Sequence, residues 1–111
     1  MDPLPPHPTH EPIQRLTFEV HGKVQGVFFR NHTVERARAL GLAGFVANRL
    51  GDGAVVGEAE GPRASVAALR RWLEREGSPA SRVDRVDATT ADVPAGGARR
   101  YATFERRPNV P

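Results

Sequence analysis

The hydrophobic and polar positions of this 111-residue chain change period several times. Apolar and polar residues alternate over residues 15–21, which predicts a half-buried strand. An apolar stripe of helical spacing follows over residues 34–40. Gly41 comes next and can adopt the left-handed conformation that ends a helix. The regular structure is therefore predicted to begin with a strand and a helix.

The second half of the chain repeats these signals. Residues 43–48 and 54–60 predict two strands, joined by a hairpin turn at Gly51-Asp52-Gly53. A second amphipathic helix is predicted to open at Gly61-Pro62 and to end near Gly77. The remaining segments are a fourth strand with imperfect alternation, a loop and a short final strand, predicted over residues 82–88, 91–97 and 101–106.

The order β-α-β-β-α-β predicts an α+β, ferredoxin-like sandwich. We expect an antiparallel sheet with strand order 4-1-3-2, a short extra C-terminal strand, and both helices on one face. Phe18, Trp72 and Phe104 are expected in the core. The proline- and histidine-rich residues 1–13 predict a disordered tail, residues 14–107 the domain, and residues 108–111 a C-terminal tail.

Composition narrows the functional classes. Hydrophobic residues make up 39% of the chain, enough for one core, and no apolar run approaches a membrane span. The N-terminus lacks the pattern of a signal peptide, so we expect a cytoplasmic protein that does not bind membranes. A small domain with no evident apolar surface stripe is expected to be a monomer. There is no cysteine, and the four histidines are scattered, so neither thiolate chemistry nor a metal site is expected. The net charge of +3 is spread along the chain, which favours a solvated surface over a nucleic-acid interface.

The most informative motif is G-K-V-Q-G-V-F-F-R, from Gly22 to Arg30. It connects the first predicted strand to the first predicted helix. Backbone N–H groups at a helix N-terminus favour anions, and glycines allow a loop to form an anion-binding concavity. The fork of Arg30 can bind two oxygens at once. The motif therefore predicts a phosphate site.

Several motifs in the same order resemble the acylphosphatase family over roughly residues 15–107. They are G-K-V-Q-G-V-F-F-R, L-G-L-A-G-F-V-A-N (40–48), G-D-G-A-V (51–55), E-G-P (60–62) and G-S-P-A-S-R-V (77–83). The resemblance implies a ferredoxin-like enzyme that hydrolyses acyl phosphates to a carboxylate and inorganic phosphate, without cofactor, metal or covalent intermediate. It also implies that Arg30 binds the phosphate and that Asn48 positions the water. The loop amides that cradle the phosphate would be those of Lys23, Val24, Gln25, Gly26, Val27 and Phe28.

Two positions depart from the family pattern. Phe45 stands where the family usually has tryptophan, which keeps an aromatic residue. Ala54 stands where some members have threonine, so any contribution of that hydroxyl to the water network is lost. We expect this second change to affect the turnover rate more than the reaction type.

The residues also limit the chemistry, in part independently of the resemblance. An acyl phosphate already has a good leaving group, so the site must mainly hold the phosphoryl group and place a water in line. Near the loop the sequence has no acidic pair, no cysteine and no Walker lysine pattern. The substrate's own phosphate oxygen is therefore the expected proton acceptor. His32, on the first helical turn, is expected to pack or hydrogen-bond locally.

Two alternatives come from other functional classes. RNA-recognition motifs share the β-α-β-β-α-β order, but their third strand carries aromatic residues, whereas here it reads A-V-V-G-E-A-E. The other alternative is a non-catalytic, phosphate-binding or regulatory domain, of the acylphosphatase-like kind found within larger carbamoyl-phosphate-handling proteins. The chain ends soon after the predicted fold is complete, which favours the standalone enzyme.

Overall fold

A computed structural model describes Leu4, residues 11–94, Gly97 and residues 99–111. Its elements follow in the predicted order and confirm the ferredoxin-like fold. They are β1 (Ile13–Lys23), α1 (Phe29–Ala39), β2 (Ala43–Asn48), β3 (Val55–Pro62), α2 (Arg63–Arg75), β4 (Arg82–Val93) and β5 (Phe104–Arg106). Within these described ranges, neither helix is long and apolar enough to cross a membrane.

The strands form one five-stranded sheet in the order β4-β1-β3-β2-β5. β1 pairs antiparallel with both β3 and β4, and β2 pairs antiparallel with β3. The predicted order 4-1-3-2 and the extra C-terminal strand are confirmed. β5 runs parallel to β2, so the complete sheet is mixed.

The core lies between the sheet and the two helices. Leu16, Phe18 and Val20 alternate along β1 and are fully or almost fully buried, as the period of that strand predicts. Trp72 of α2 packs on Phe29 with ring centroids 5.7 Å apart. The core positions predicted for Phe18, Trp72 and Phe104 are confirmed.

A β-bulge explains the imperfect alternation of the fourth strand. His21 pairs with Arg85 while Gly22 pairs with Val83, so Asp84 is an extra residue on β4. Gly22 has a φ of +137°, and a Cβ at this position would lie 2.1 Å from the Arg82 carbonyl oxygen. A glycine is therefore required at position 22 of β1, opposite the bulge of β4. The loop predicted to start at Gly22 begins after Lys23.

The fourth and fifth strands differ in length from the predictions. β4 continues to Val93, so the loop predicted from residue 91 was placed too early. Its pairing with β1 continues to Ile13, which extends the regular strand by five residues beyond Ala88. The last strand is shorter than predicted and begins at Phe104 instead of Tyr101.

Both predicted tails make contacts with the domain. β1 begins at Ile13, inside the predicted N-terminal tail, and Leu4 forms an isolated bridge with Arg99. The predicted disorder of the other residues up to position 10 lies outside the described residues. In the C-terminal segment, the Val110 N–H donates to the Asn48 carbonyl at 2.8 Å, and its carbonyl accepts from the Leu50 N–H at 2.8 Å. Val110 thereby lies against the end of β2.

A cation–aromatic stack lies on the sheet face opposite the helices. The Arg107 guanidinium carbon lies 4.2 Å from the Phe45 ring centroid and 5.7 Å from that of Tyr101. The Tyr101 hydroxyl donates to Glu58 Oε1 at 2.9 Å. Burial, reinforced by the Glu58 carboxylate, raises the pKa of Tyr101 to about 12.

Tyr101 is the only tyrosine of the chain, so its titration can be followed directly. We expect a phenolate absorbance midpoint near pH 12, above the ordinary value of about 10. Because the pKa is higher in the folded state, the associated stability is present below about pH 10 and is lost as the pH rises toward 12. Glu58→Gln should lower the midpoint, with circular dichroism confirming that the chain stays folded. A wild-type midpoint near 10 would contradict this prediction.

Candidate active site

One cavity of about 220 Å³ lies where the β1–α1 loop, the start of α1, the end of β2 and β5 meet. Two residues singled out from the sequence, Arg30 and Asn48, both line it. The full lining consists of Val24, Gly26, Phe28, Phe29, Arg30, Asn31, Asn48 and Arg106. None of these side chains is a carboxylate, a thiol or an imidazole, so the charge of the lining comes from arginine.

The β1–α1 loop is tightly folded and presents its main chain. Gly26 and Phe28 adopt left-handed conformations, with φ values of +68° and 55°, while Val24 and Val27 are buried and anchor the loop. Among the described residues, the backbone N–H groups of residues 25–30 donate to no protein acceptor. These donors are therefore available to a ligand.

The N-terminus of α1 suits an anion. Its N-cap residue, Phe28, makes no side-chain capping bond, and the first turn carries no acidic residue. The first N–H groups of a helix have no partner within the helix, and the helix dipole makes this end positive. Both features favour a bound phosphate.

Arg30 is the second residue of α1 and is half-buried at the cavity. Its Nη1 donates to the Arg107 carbonyl at 3.3 Å. A guanidinium has five N–H donors. In the part of the chain that the structure describes, Arg30 makes no ion pair, so most of its donors and its charge are left for a ligand.

Asn48 ends β2, and its side-chain oxygen is the least satisfied polar atom of the cavity. Oδ1 is buried and has no hydrogen-bond partner among the described protein atoms. Its main-chain carbonyl, in contrast, accepts from the Val110 N–H. Leaving a buried acceptor unpaired costs about 1–3 kcal/mol. An acceptor in this position can hold a water molecule at the cavity.

Three loop residues predicted from the family motif lie beside the cavity without lining it. Lys23 is exposed at the end of β1, and Val27 is buried under the loop. The Gln25 side chain lies against the hairpin turn, because a Cβ at Gly53 would be 2.8 Å from its Nε2. Any contribution of these residues to a ligand would come through their main chain or through packing of the loop.

Sequence reasoning missed Asn31 and Arg106. Arg106 Nη1 donates to Asn31 Oδ1 at 3.1 Å, and both residues line the cavity. Asn31 follows Arg30 directly and could have been considered from the motif. Arg106 carried no such signal, since its place depends on the parallel pairing of β5 with β2.

His32 was considered from the sequence, and the structure adds His21. His32 Nδ1 lies 3.8 Å from Glu35 Oε2 one helical turn away, a local contact of the kind expected. His21, on the open face of the sheet, lies close to Glu19 and Asp87, and the three donor atoms are within 4.8 Å of one another.

Both carboxylates beside His21 already have cationic partners. Glu19 is bound by Arg49, whose hydrogen bond holds the pKa of that carboxyl below its usual range. Asp87 accepts from Arg85 Nε at 3.1 Å. The same Arg49 binds Asp52 and holds its pKa well below the usual range, helped by the Ala54 N–H. We assign this cluster to surface ion pairing.

A family model named Acylphosphatase matches residues 16–103. The chain belongs to the acylphosphatase family. It is 47% identical over 79 residues to acylphosphatase-1 of Gallus gallus. The aligned region covers 71% of this chain and 79% of that relative. A solved acylphosphatase from Coxiella burnetii is 35% identical with a TM-score of 0.74, covering 89% of this chain and 99% of that one. The prediction of an enzyme with acylphosphatase activity is confirmed by these matches.

The same fold also occurs within a much larger solved protein. Full-length HypF, in a phosphate- and nucleotide-bound form, is 26% identical with a TM-score of 0.73. The match covers 88% of this chain but only 12% of HypF. The acylphosphatases named above match over most of their own length and at 35% identity or more, which favours the enzyme over both the non-catalytic domain and the RNA-binding module.

Phe28 gives this family member a strained residue at the mouth of its cavity. Its φ of 55° and ψ of 28° are left-handed, and its side chain is 72% exposed. This conformation costs about 1–2 kcal/mol for most residues, whereas asparagine tolerates it. We expect Phe28→Asn to raise the free energy of unfolding in urea by about 1 kcal/mol. Phe28→Ala, which keeps the strain, is the control, and equal stability of the two variants would contradict the prediction.

Proposed function

We propose that Arg30, Asn48 and the loop of residues 23–28 form the active site for hydrolysis of small acyl phosphates. The Val24 N–H already donates to the Gly22 carbonyl at 3.1 Å, so the loop donors are the N–H groups from Gln25 onward. The observation that carries this proposal is the shared cavity. Arg30, with unused donors, and the unpaired buried oxygen of Asn48 line the same space of about 220 Å³. One group suits a phosphoryl anion and the other suits a water.

In this proposal the loop and Arg30 hold the phosphoryl group. The guanidinium binds two nonbridging oxygens, and the loop amides surround the others at the positive end of α1. Charge on these oxygens persists through the transition state, so donors fixed in advance lower its free energy. The hydrogen bond from Arg30 Nη1 to the Arg107 carbonyl orients the guanidinium and leaves its other donors for the substrate.

Asn48 is proposed to position the attacking water. Its Oδ1 accepts one water hydrogen, which directs a lone pair of the water at phosphorus opposite the acyl oxygen. The new bond from water oxygen to phosphorus forms as the bond to the acyl oxygen breaks, and that electron pair leaves with the carboxylate. The water proton passes to a phosphate oxygen, consistent with a lining that lacks a carboxylate or imidazole base. The products are a carboxylate and inorganic phosphate, with no metal or covalent intermediate.

We further propose a cytoplasmic monomer without nucleic-acid partners or membrane association. The rings of Phe45 and Tyr101 are already engaged by Arg107, which disfavours base stacking on the open sheet face. The third strand carries Glu58 and Glu60 and no aromatic residue, as the sequence indicated. Among the described residues, the exposed large hydrophobic side chains are Phe28 and Leu50, too few for an extensive apolar interface.

The proposal is tested by phosphate release from benzoyl phosphate with chelator present. The purified chain should hydrolyse the substrate at the same rate with and without the chelator. Arg75→Gln, an exposed arginine on α2, is a matched control that should behave like the wild type. Phosphate release no faster than in buffer would contradict the proposed hydrolysis of acyl phosphates. Loss of activity with chelator would contradict the metal-free mechanism.

A further inference from the structure

The cavity holds two guanidinium groups, although the proposed chemistry at phosphorus uses one. Arg30 comes from the first turn of α1 and Arg106 from the last residue of β5. None of the described residues that line the cavity is acidic, so their side chains contribute two positive charges. Arg30 is half-buried and Arg106 is exposed at the same cavity, so their combined charge favours a ligand that supplies additional negative charge.

Arg106 is held in place by an amide and not by a carboxylate. Its Nη1 donates to Asn31 Oδ1 at 3.1 Å, while Arg30 donates in the opposite direction to the Arg107 carbonyl. These two bonds tie α1 to β5 at the cavity. Over the described ranges, Arg106 makes no ion pair, whereas Arg15 and Arg49 bind carboxylates directly. Its charge and most of its donors are therefore free.

The position of Arg106 suits the acyl part of the substrate better than the phosphoryl group. The loop amides and the positive end of α1 come from the β1–α1 connection, which already provides the phosphate donors. Arg106 comes from a different element, β5, and so contributes another wall of the same cavity. A fork on that wall matches a second anionic group, above all a planar carboxylate.

We propose that Arg106 is a specificity-determining residue that binds a negatively charged group on the acyl part of the substrate. The enzyme would then favour acyl phosphates whose acyl portion carries a carboxylate. This inference rests on the proposed function, because Arg30 must hold the phosphoryl group for Arg106 to be left for the acyl group.

The test compares benzoyl phosphate with 3-carboxybenzoyl and 4-carboxybenzoyl phosphate. These substrates differ only in the added carboxylate and its direction. In Arg106→Gln, kcat/KM for at least one carboxylated substrate should fall about tenfold relative to benzoyl phosphate, as expected for one charge-assisted hydrogen bond. Arg106→Lys should keep part of the preference. Arg75→Gln removes the same charge from an exposed site and should leave the ratio unchanged.

Ionic strength provides an independent measurement. Added salt should weaken the wild-type preference for the carboxylated substrate and leave the ratio in Arg106→Gln nearly constant. An equal loss for all three substrates would mean that Arg106 acts on the phosphoryl group, which would overturn the inference. An unchanged ratio in Arg106→Gln would also overturn it. If the wild type hydrolysed none of the three, the proposed function itself would fail, a result distinct from either.

Discussion

Replacing Arg30 with alanine should lower kcat/KM for benzoyl phosphate by about 10³-fold, because one charged fork acts on both bound substrate and transition state. Inorganic phosphate should inhibit the variant much more weakly than the wild type. Arg30→Lys should also be strongly impaired, since an ammonium keeps the charge and loses the two-pronged geometry. Steady-state kinetics with phosphate as competitor measures both effects.

The loss of activity in Arg30→Ala is not expected to come from loss of folding. Arg30 is half-buried, and in the described chain its hydrogen bond goes to the Arg107 carbonyl. Urea unfolding of Arg30→Ala should therefore lie close to the wild type. Arg75→Ala is the matched control for removing an arginine from a helix. Activity within a few-fold of wild type in Arg30→Ala would contradict its role at the phosphoryl group.

Replacing Asn48 with alanine should separate rate from binding. We expect kcat to fall by about 10²-fold, since a water without its acceptor is poorly placed for in-line attack. KM and inhibition by inorganic phosphate should change little, because Asn48 holds the water and not the phosphoryl group. Asn109→Ala, which removes an exposed amide outside the cavity lining, is the matched control.

Stability distinguishes this role of Asn48 from that of a simple turn residue. Oδ1 is buried without a partner among the described protein atoms, so removing it should leave the free energy of unfolding unchanged or higher. If the Asn48 side chain instead held a turn together by hydrogen bonding, its truncation would lower the stability of the protein. Normal turnover in Asn48→Ala would show that another group orients the water, and a marked loss of stability would show that the side chain supports the fold.

Much of this architecture follows from local patterns in the sequence. The alternation over β1 and the apolar stripe of α2 predict which side chains face the core. Phe18 and Leu69, which lie on these apolar faces, are buried. Gly41 follows Leu40, the C-cap residue of α1, and has a φ of +74°, as its helix-ending role requires. The loop at the cavity could be predicted from the motif between Gly22 and Arg30, because the glycines, the arginine and the helix start that form it are contiguous in the chain.

The parts that escaped prediction depend on partners distant in the sequence. The spacing of Val83 and Val86 looks irregular until the bulge opposite Gly22 is known, and the bulge is a property of two strands together. β5 has three residues, too few for a periodic pattern, and its place beside β2 brings Arg106 to the cavity. The acceptor for Arg30 is a main-chain carbonyl, which residue types do not reveal.

The two outer strands of the sheet also bear on how the protein behaves at high concentration. An unpaired strand edge can recruit a strand from another molecule and start aggregation. The 12-residue β4 lies at one edge, where it carries ion pairs from Arg82 to Asp84 and from Arg85 to Asp87 and is distorted by its bulge. At the other side, β5 and the segment near Val110 cover β2. Ion pairs and a bulge protect the β4 edge, and the short β5 with the segment near Val110 protects the other. The sheet that carries the active site therefore resists intermolecular strand addition.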